Sequence, residues 1–215
     1  MRVTVDIDIE HVSVSFGRRT VLDDVTATMR GGRLTALVGP SGSGKSTLLA
    51  LAAGYLVPAS GRVLVRSETF GTGAEPPHPG RVAWVPQGAN ALGARSVLDN
   101  VMLGALSEGV DLAGAARRAR ACLATVGLAE RAGDAARELS GGELQRVAFA
   151  RALVSRRATI LADEPTASLD AASTREIVRL LRELRIDATV VVATHDPLVI
   201  EAADEIVDLR EAHRG

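Results

Sequence analysis

Apolar and polar residues alternate at the start of the chain: Val3, Val5, Ile7 and Ile9 are spaced by Thr4, Asp6 and Asp8. A period of two predicts a strand with one buried face. The apolar phase then slips to Val12, Val14 and Phe16, which predicts a bulge or turn near Glu10–His11. Val25, Ala27 and Met29 resume the alternation, and Gly31-Gly32 closes the segment as a turn. Residues 33–38 (RLTALV) form a nearly continuous apolar run, as expected of a strand buried on both faces. A Gly-rich loop follows, then a helical stretch from Lys45 to about Ala53.

Further along, Arg62–Arg66 and Arg81–Val85 read as strands around a Gly- and Pro-rich loop at 71–80. Ser96 to about Gly127 reads as helical, with Arg117, Arg118 and Arg120 on a solvated face. A helix from Gly141 to about Val154 leads into a strand at Ala158–Ala162. The next helix places Ile177, Leu180, Leu181 and Leu184 on one face. A strand at Thr189–Ala193 precedes a helix whose start is marked by Asp196 as N-cap and Pro197 in its first turn. Strands alternating with helices predict an α/β fold with a mostly parallel sheet covered on both faces.

Composition narrows this picture. The chain has 215 residues, 47% of them hydrophobic, which suits a globular domain and argues against disorder. Its 25 basic residues nearly cancel its 26 acidic ones, so no basic footprint points to nucleic acid. The single cysteine, Cys122, excludes an internal disulfide or a cysteine cage. The N-terminus lacks the apolar core of a signal peptide, and the longest apolar stretch, Leu48–Ala59, is far short of the ~20 residues that span a bilayer. Of the 25 basic residues, 24 are arginine, and the one lysine is Lys45. A lone lysine in so Arg-rich a chain is a candidate for a task that a guanidinium cannot perform.

Lys45 lies in Gly39-Pro40-Ser41-Gly42-Ser43-Gly44-Lys45-Ser46, which fits G-x-x-x-x-G-K-[ST] between a buried strand and a helix. Glycines let successive N–H groups turn toward phosphate oxygens, and the helix N-terminus adds positive potential. Lys45 offers a compact charge to the β- and γ-phosphates, and Ser46 a hydroxyl to Mg²⁺.

The strand at 158–162 ends in Asp163-Glu164, where carboxylates of an open α/β sheet face the ligand crevice. Asp163 is placed to hold Mg²⁺ and Glu164 to polarise an attacking water; a pair of solvated carboxylates opening a loop is the other reading. His195 sits at the end of a neighbouring strand, where a structural role competes with a functional one. Ser140 with Glu143 three residues later is a capping box. A capping box does not require Gly141-Gly142, so this helix start is a second candidate anion cradle, about a hundred residues from the first.

Together these motifs resemble the ATP-binding subunit of an ABC transporter over nearly the whole chain. Gly39–Thr47 is similar to the family's Walker A loop, Gln87 to its Q-loop glutamine and residues 139–143 (LSGGE) to its signature motif. Ile160–Glu164 resembles Walker B, Ser168-Leu169-Asp170 the D-loop and His195 the switch histidine. Phe16 falls where the family places an aromatic that stacks on adenine, although a core role in its strand is the alternative. Glu143 and Leu144 depart from the more common glutamines, and the segment after Gln87 keeps only its VLDNV ending.

The resemblance implies a P-loop NTPase core with a mostly parallel sheet, an N-terminal antiparallel β subdomain and an inserted α-helical subdomain. It implies one ATP-binding domain over 1–215, β-rich over about 1–34, with the helical, signature-bearing insertion over about 88–155. ATP and Mg²⁺ are the implied ligands. ATP would meet Phe16, Gly39–Thr47 and Gln87; Mg²⁺ would meet Ser46, Gln87 and Asp163; Glu164 and His195 would be catalytic. Ser140, Gly141 and Gly142, with Asp170 nearby, would meet the ATP held by a second cassette, most simply another copy of the chain. Residues 88–101 would receive an integral membrane permease, placing the chain on the cytoplasmic face of the membrane as the motor of transport, most like exporter or lipoprotein-release cassettes. With the chain ending about twenty residues after His195, no C-terminal regulatory domain is expected. The rival is a soluble ABC ATPase without a permease; a non-hydrolysing switch is opposed by Glu164 and His195.

Overall fold

The computed structural model describes residues 4–67, 73–88, 90–167 and 169–210. Val3, residues 71 and 72 of the predicted loop, Ala89 and Ser168 lie outside the described residues. The early alternation becomes a long hairpin of β1 (Asp6–Phe16) and β2 (Arg19–Met29), paired from Ile7 with Met29 to Phe16 with Arg19. The register shifts between Ile9 and Val12, where His11 takes a φ of 52°, so the phase slip is a bulge. After β3 (Leu34–Val38) and α1 (Lys45–Ala52), β4 (Ser60–Arg66) pairs with β1 and β5 (Ala74–Glu75) with β4. The antiparallel sheet runs β2-β1-β4-β5. The β-rich part is therefore not confined to about 1–34, because β4 and β5 return to it after α1.

The second sheet is wholly parallel, in the order β6-β7-β8-β3-β9, with β6 (Val82–Val85), β7 (Thr159–Asp163), β8 (Thr189–Ala193) and β9 (Glu205–Asp208). All five residues of β3 and of β8 are buried, as their nearly continuous apolar runs predict. Successive side chains feed different cores. Leu37, Leu161, Val191 and Ala193 pack with the antiparallel sheet and α1. Leu34, Ile160, Ala162, Val190 and Val192 pack with the helices of the other layer. β9 was not expected: only Ile206 and Val207 in it are apolar, and its pairing with β3 is non-local.

The helical stretch expected over 96–127 is two helices, α2 (Val97–Leu106) and α3 (Leu112–Thr125). Gly109 at a φ of 76° breaks the run, and Asp111 caps the new helix by accepting from Gly114 N–H at 2.7 Å. Arg117 and Arg120 are exposed on α3, while Arg118 is half-buried. Both helices pack with α4 (Gly141–Val154), whose bounds match the expectation. Fully buried Asn100 of α2 fastens the preceding loop: its amide accepts from Leu92 N–H at 2.7 Å and donates to Leu92 O at 3.1 Å and Ser96 O at 2.9 Å. In α5 (Ala171–Leu184), Ile177, Leu180, Leu181 and Leu184 are buried as their spacing predicts. Asp196 caps α6 (Pro197–Ala202), accepting from Leu198 N–H at 2.9 Å.

Candidate functional site

The loops leaving β3, β6, β7 and β8 converge at one edge of the parallel sheet, and the tip of the β1–β2 hairpin closes over them. Between them lies a cleft of about 710 Å³. Its walls include Phe16, Gly39–Gly42, Gly44–Thr47, Gln87, Asp163, Glu164 and His195. The sequence therefore identified most of the cleft; Ser43 of the phosphate loop is not among its lining residues.

Strand β3 delivers the chain into the loop and Gly44 turns it into α1. Gly44 has a φ of 95°, and a Cβ there would stand 2.6 Å from Leu22 Cδ2, so backbone and packing both demand glycine. No side chain caps α1 and its first turn holds no acidic residue. Among the described residues, each of the other five α-helices begins behind a side chain that accepts a backbone N–H: Ser96, Asp111, Ser140, Asp170 or Asp196. The start of α1 thus presents unanswered donors and the positive end of its dipole to the cleft. Lys45 is buried, and its ammonium donates to Gly39 O at 2.9 Å and Pro40 O at 3.3 Å. Ser43 Oγ is buried without a hydrogen-bond partner among the described residues.

Glu164 is not a solvated carboxylate. Its φ is 45°, and its N–H donates to Ala193 O at 2.8 Å, binding the end of β7 to the end of β8. A non-glycine residue held at positive φ is strained and fixed by its surroundings. The carboxylate bridges two positions: Oε1 lies 3.7 Å from Lys45 Nζ and Oε2 lies 2.9 Å from His195 Nδ1. The His195 side chain is 74% exposed against 14% for Glu164, so the histidine reaches inward from the rim.

Ser46, Gln87 and Asp163 line the same cleft, a hydroxyl, an amide and a carboxylate suited to a hard cation. Among the described residues no group of three or more His, Cys, Asp and Glu side chains forms a metal site of its own. The donor set fits Mg²⁺ that draws its remaining ligands from phosphate and water. Phe16 is 56% exposed at the cleft mouth, which excludes the core reading. Arg19 and Val21 also line the cleft and were missed. The available signal was their place just beyond the hairpin tip from Phe16, with which Arg19 pairs.

Ser140, Gly141, Gly142 and Asp170 are not among the lining residues of this cleft. The capping box is complete: Ser140 N–H and Oγ–H both donate to Glu143 Oε2, at 2.9 and 2.8 Å, and Glu143 N–H donates to Ser140 Oγ at 3.3 Å. The backbone N–H of Ser140, then its hydroxyl, hold the Glu143 carboxyl below the usual range, with Arg131 and Arg146 adding to the effect. The two glycines have different reasons. A Cβ on Gly142 would stand 2.5 Å from Ser173 Oγ, so close packing on α5 requires it. A Cβ on Gly141 would meet nothing within 4 Å, and its φ is not positive. Nothing in the fold demands Gly141. Asp170 caps α5, accepting from Ser173 N–H at 2.7 Å, a bond that also holds its carboxyl below the usual range. Ser168, two residues before it, lies outside the described residues.

A protein-family model described as "ABC transporter" matches residues 22–167. The aliphatic sulfonates import ATP-binding protein SsuB of Burkholderia ambifaria is 47% identical over 194 residues, covering 88% of this chain and 56% of that protein. The macrolide export ATP-binding/permease protein MacB of Chromobacterium violaceum is 38% identical over 196 residues, covering 89% of this chain and 30% of that one. The chain thus spans about half the length, or less, of these curated relatives. Among solved structures, cbiO1 from Clostridium perfringens, part of the ABC transporter complex cbiONQ, superposes with a TM-score of 0.82 at 27% identity, covering 94% of this chain and 83% of that one. The phosphate loop, the carboxylate-ended β7, the histidine after β8 and the glycine-bearing start of α4 thus occur in a chain that belongs to the ABC transporter family, as its ATP-binding cassette.

Proposed function

We propose that this chain binds MgATP in the cleft beneath the β1–β2 hairpin, hydrolyses it, and so powers transport through a separate membrane permease. The observation that carries the reading is the meeting of the uncapped start of α1 with Lys45, Glu164 and His195. Backbone N–H groups of the loop and Lys45 bind the β- and γ-phosphates, the oxygens of which replace Gly39 O and Pro40 O around the ammonium. Ser46, Gln87 and Asp163 would hold Mg²⁺, which would supply charge neutralisation at the phosphates. As Lys45 turns to phosphate, Glu164 Oε1 is released to accept a proton from the attacking water. His195 keeps its hold on Oε2, orienting the carboxylate for that transfer.

The start of α4 suits the γ-phosphate of a second cassette, because Gly141 is open on the surface and not required by the fold. Two copies would then pair head to tail, closing on ATP and reopening after hydrolysis. Among the described residues no helix is long and apolar enough to cross a membrane, so the membrane passage is assigned to the permease. The chain would sit against it from the cytoplasmic side, with the segment after Gln87 as contact. The relatives include both an import subunit and an exporter, and the higher identity to the former favours the import type.

The test is Glu164→Gln with MgATP on gel filtration. A dimer containing two ATP supports the reading; a monomer with wild-type turnover overturns it. Crosslinking of the tagged wild-type chain in native membranes should recover a multi-span protein, and recovery of soluble partners alone would favour the rival ATPase.

A further inference from the structure

The cleft holds a second basic side chain that the motifs do not include. Arg19 begins β2 and is the cross-strand partner of Phe16, so the two side chains leave the same end of the hairpin. Both line the cleft. Arg19 leans from the hairpin toward the phosphate loop: a Cβ built on Gly42 would lie 3.5 Å from Arg19 Nη2. Its guanidinium makes no hydrogen bond or ion pair with any described residue, although the chain pairs many other arginines with carboxylates. An unpaired guanidinium over a phosphate loop is poised for an anion.

The cleft's lysine is differently placed. Lys45 is buried beside Glu164, which also lies against His195. We propose that Arg19 binds the phosphate nearest the base, clamping the α-phosphate between Phe16 and Gly42 while Lys45 holds the terminal phosphates. The assignment rests on nucleotide occupying this cleft. A planar fork suits two oxygens of one phosphate, and its position on the base side separates it from the reacting γ-phosphate. Arg19 therefore stabilises bound ATP and ADP alike and does not act in the chemical step; such uniform binding changes KM and leaves kcat.

The experiment uses the full chain, measuring ADP affinity by competition with a fluorescent ADP analogue and ATP turnover at steady state. Arg19→Ala should weaken ADP binding and raise KM for ATP by about tenfold, the size of one charge-assisted contact, with kcat within about twofold. Arg19→Lys should restore part of the affinity. Arg18→Ala, the same loss of charge on the neighbouring residue, should leave both constants unchanged. Without added nucleotide, the unfolding midpoint of Arg19→Ala should equal that of the wild type, because the side chain pairs with none of the described residues.

Wild-type ADP affinity in Arg19→Ala, alongside lost affinity in Lys45→Ala, would overturn the Arg19 assignment and leave the cleft reading standing. Wild-type affinity in Lys45→Ala as well would overturn both. A fall in kcat without a change in KM would also overturn it, since a ground-state clamp cannot act that way.

Discussion

Gly141→Ala separates what the fold needs from what the proposed cradle needs. Gly141 is the first residue of α4, its φ is not positive, and an added Cβ meets nothing within 4 Å. Alanine there should cost no packing and should remove freedom from the unfolded chain, a gain of about 0.4–1 kcal/mol. In a domain of this size that raises the unfolding midpoint by about 1–4 °C. The same methyl, however, would stand where a γ-phosphate must approach the N–H groups of the helix start. Losing one contact to a charged group costs about 1.5–3 kcal/mol. Steady-state ATP turnover should therefore fall by roughly tenfold to a hundredfold. Gly142→Ala is the contrasting change: its methyl collides with Ser173 at 2.5 Å, and overpacking of that kind costs about 1–3 kcal/mol. Thermal unfolding and turnover of both variants form the assay. A Gly141→Ala protein that turns over ATP at the wild-type rate refutes the use of this helix start as a cradle; one that is less stable than the wild type refutes the conformational argument.

Phe16→Ala should weaken nucleotide binding by about 0.5–1.5 kcal/mol through lost stacking, with little change in stability because the ring is already exposed; an unchanged Kd by calorimetry would remove Phe16 from the base site. Glu143 should stabilise the start of α4 in a pH-dependent way. Its carboxyl titrates lower in the folded chain than in the unfolded one, so its contribution is full above the ordinary Glu value of about 4.3 and is lost as pH falls through the depressed folded value. The gap in unfolding midpoint between wild type and Glu143→Gln should accordingly shrink below that value, and a gap that widened on acidification would contradict the bonds from Ser140.

Periodicity read the strongly patterned elements well, because burial acts on every residue of β3, β8 and the apolar face of α5. The phosphate loop and capping box were legible for a related reason: each is local, with spacing set by the backbone of one turn. Long-range consequences were not. β4 and β5 join the antiparallel sheet across α1, and β9 is a strand only because β3 offers it a partner. Arg19 was one arginine among 24 until the hairpin folded it over Gly42. Gly142 read as half of an anion motif, whereas the contact that excludes a side chain comes from Ser173, thirty-one positions later. The division of 96–127 turned on Gly109 and Asp111, within a run whose alanines favour helix throughout.

The bonds of Asn100 have a mechanical consequence. By holding both the N–H and the carbonyl of Leu92, Asn100 makes that residue move with α2. Gln87, at the other end of the connection, comes two residues after the end of β6 and lines the cleft. The chain between them is a leash of five peptide units with a reach of at most roughly 18 Å. Whatever draws α2 away from the parallel sheet beyond that slack must pull Gln87, so the length of this leash limits how far the helical layer can swing while the glutamine stays in the cleft.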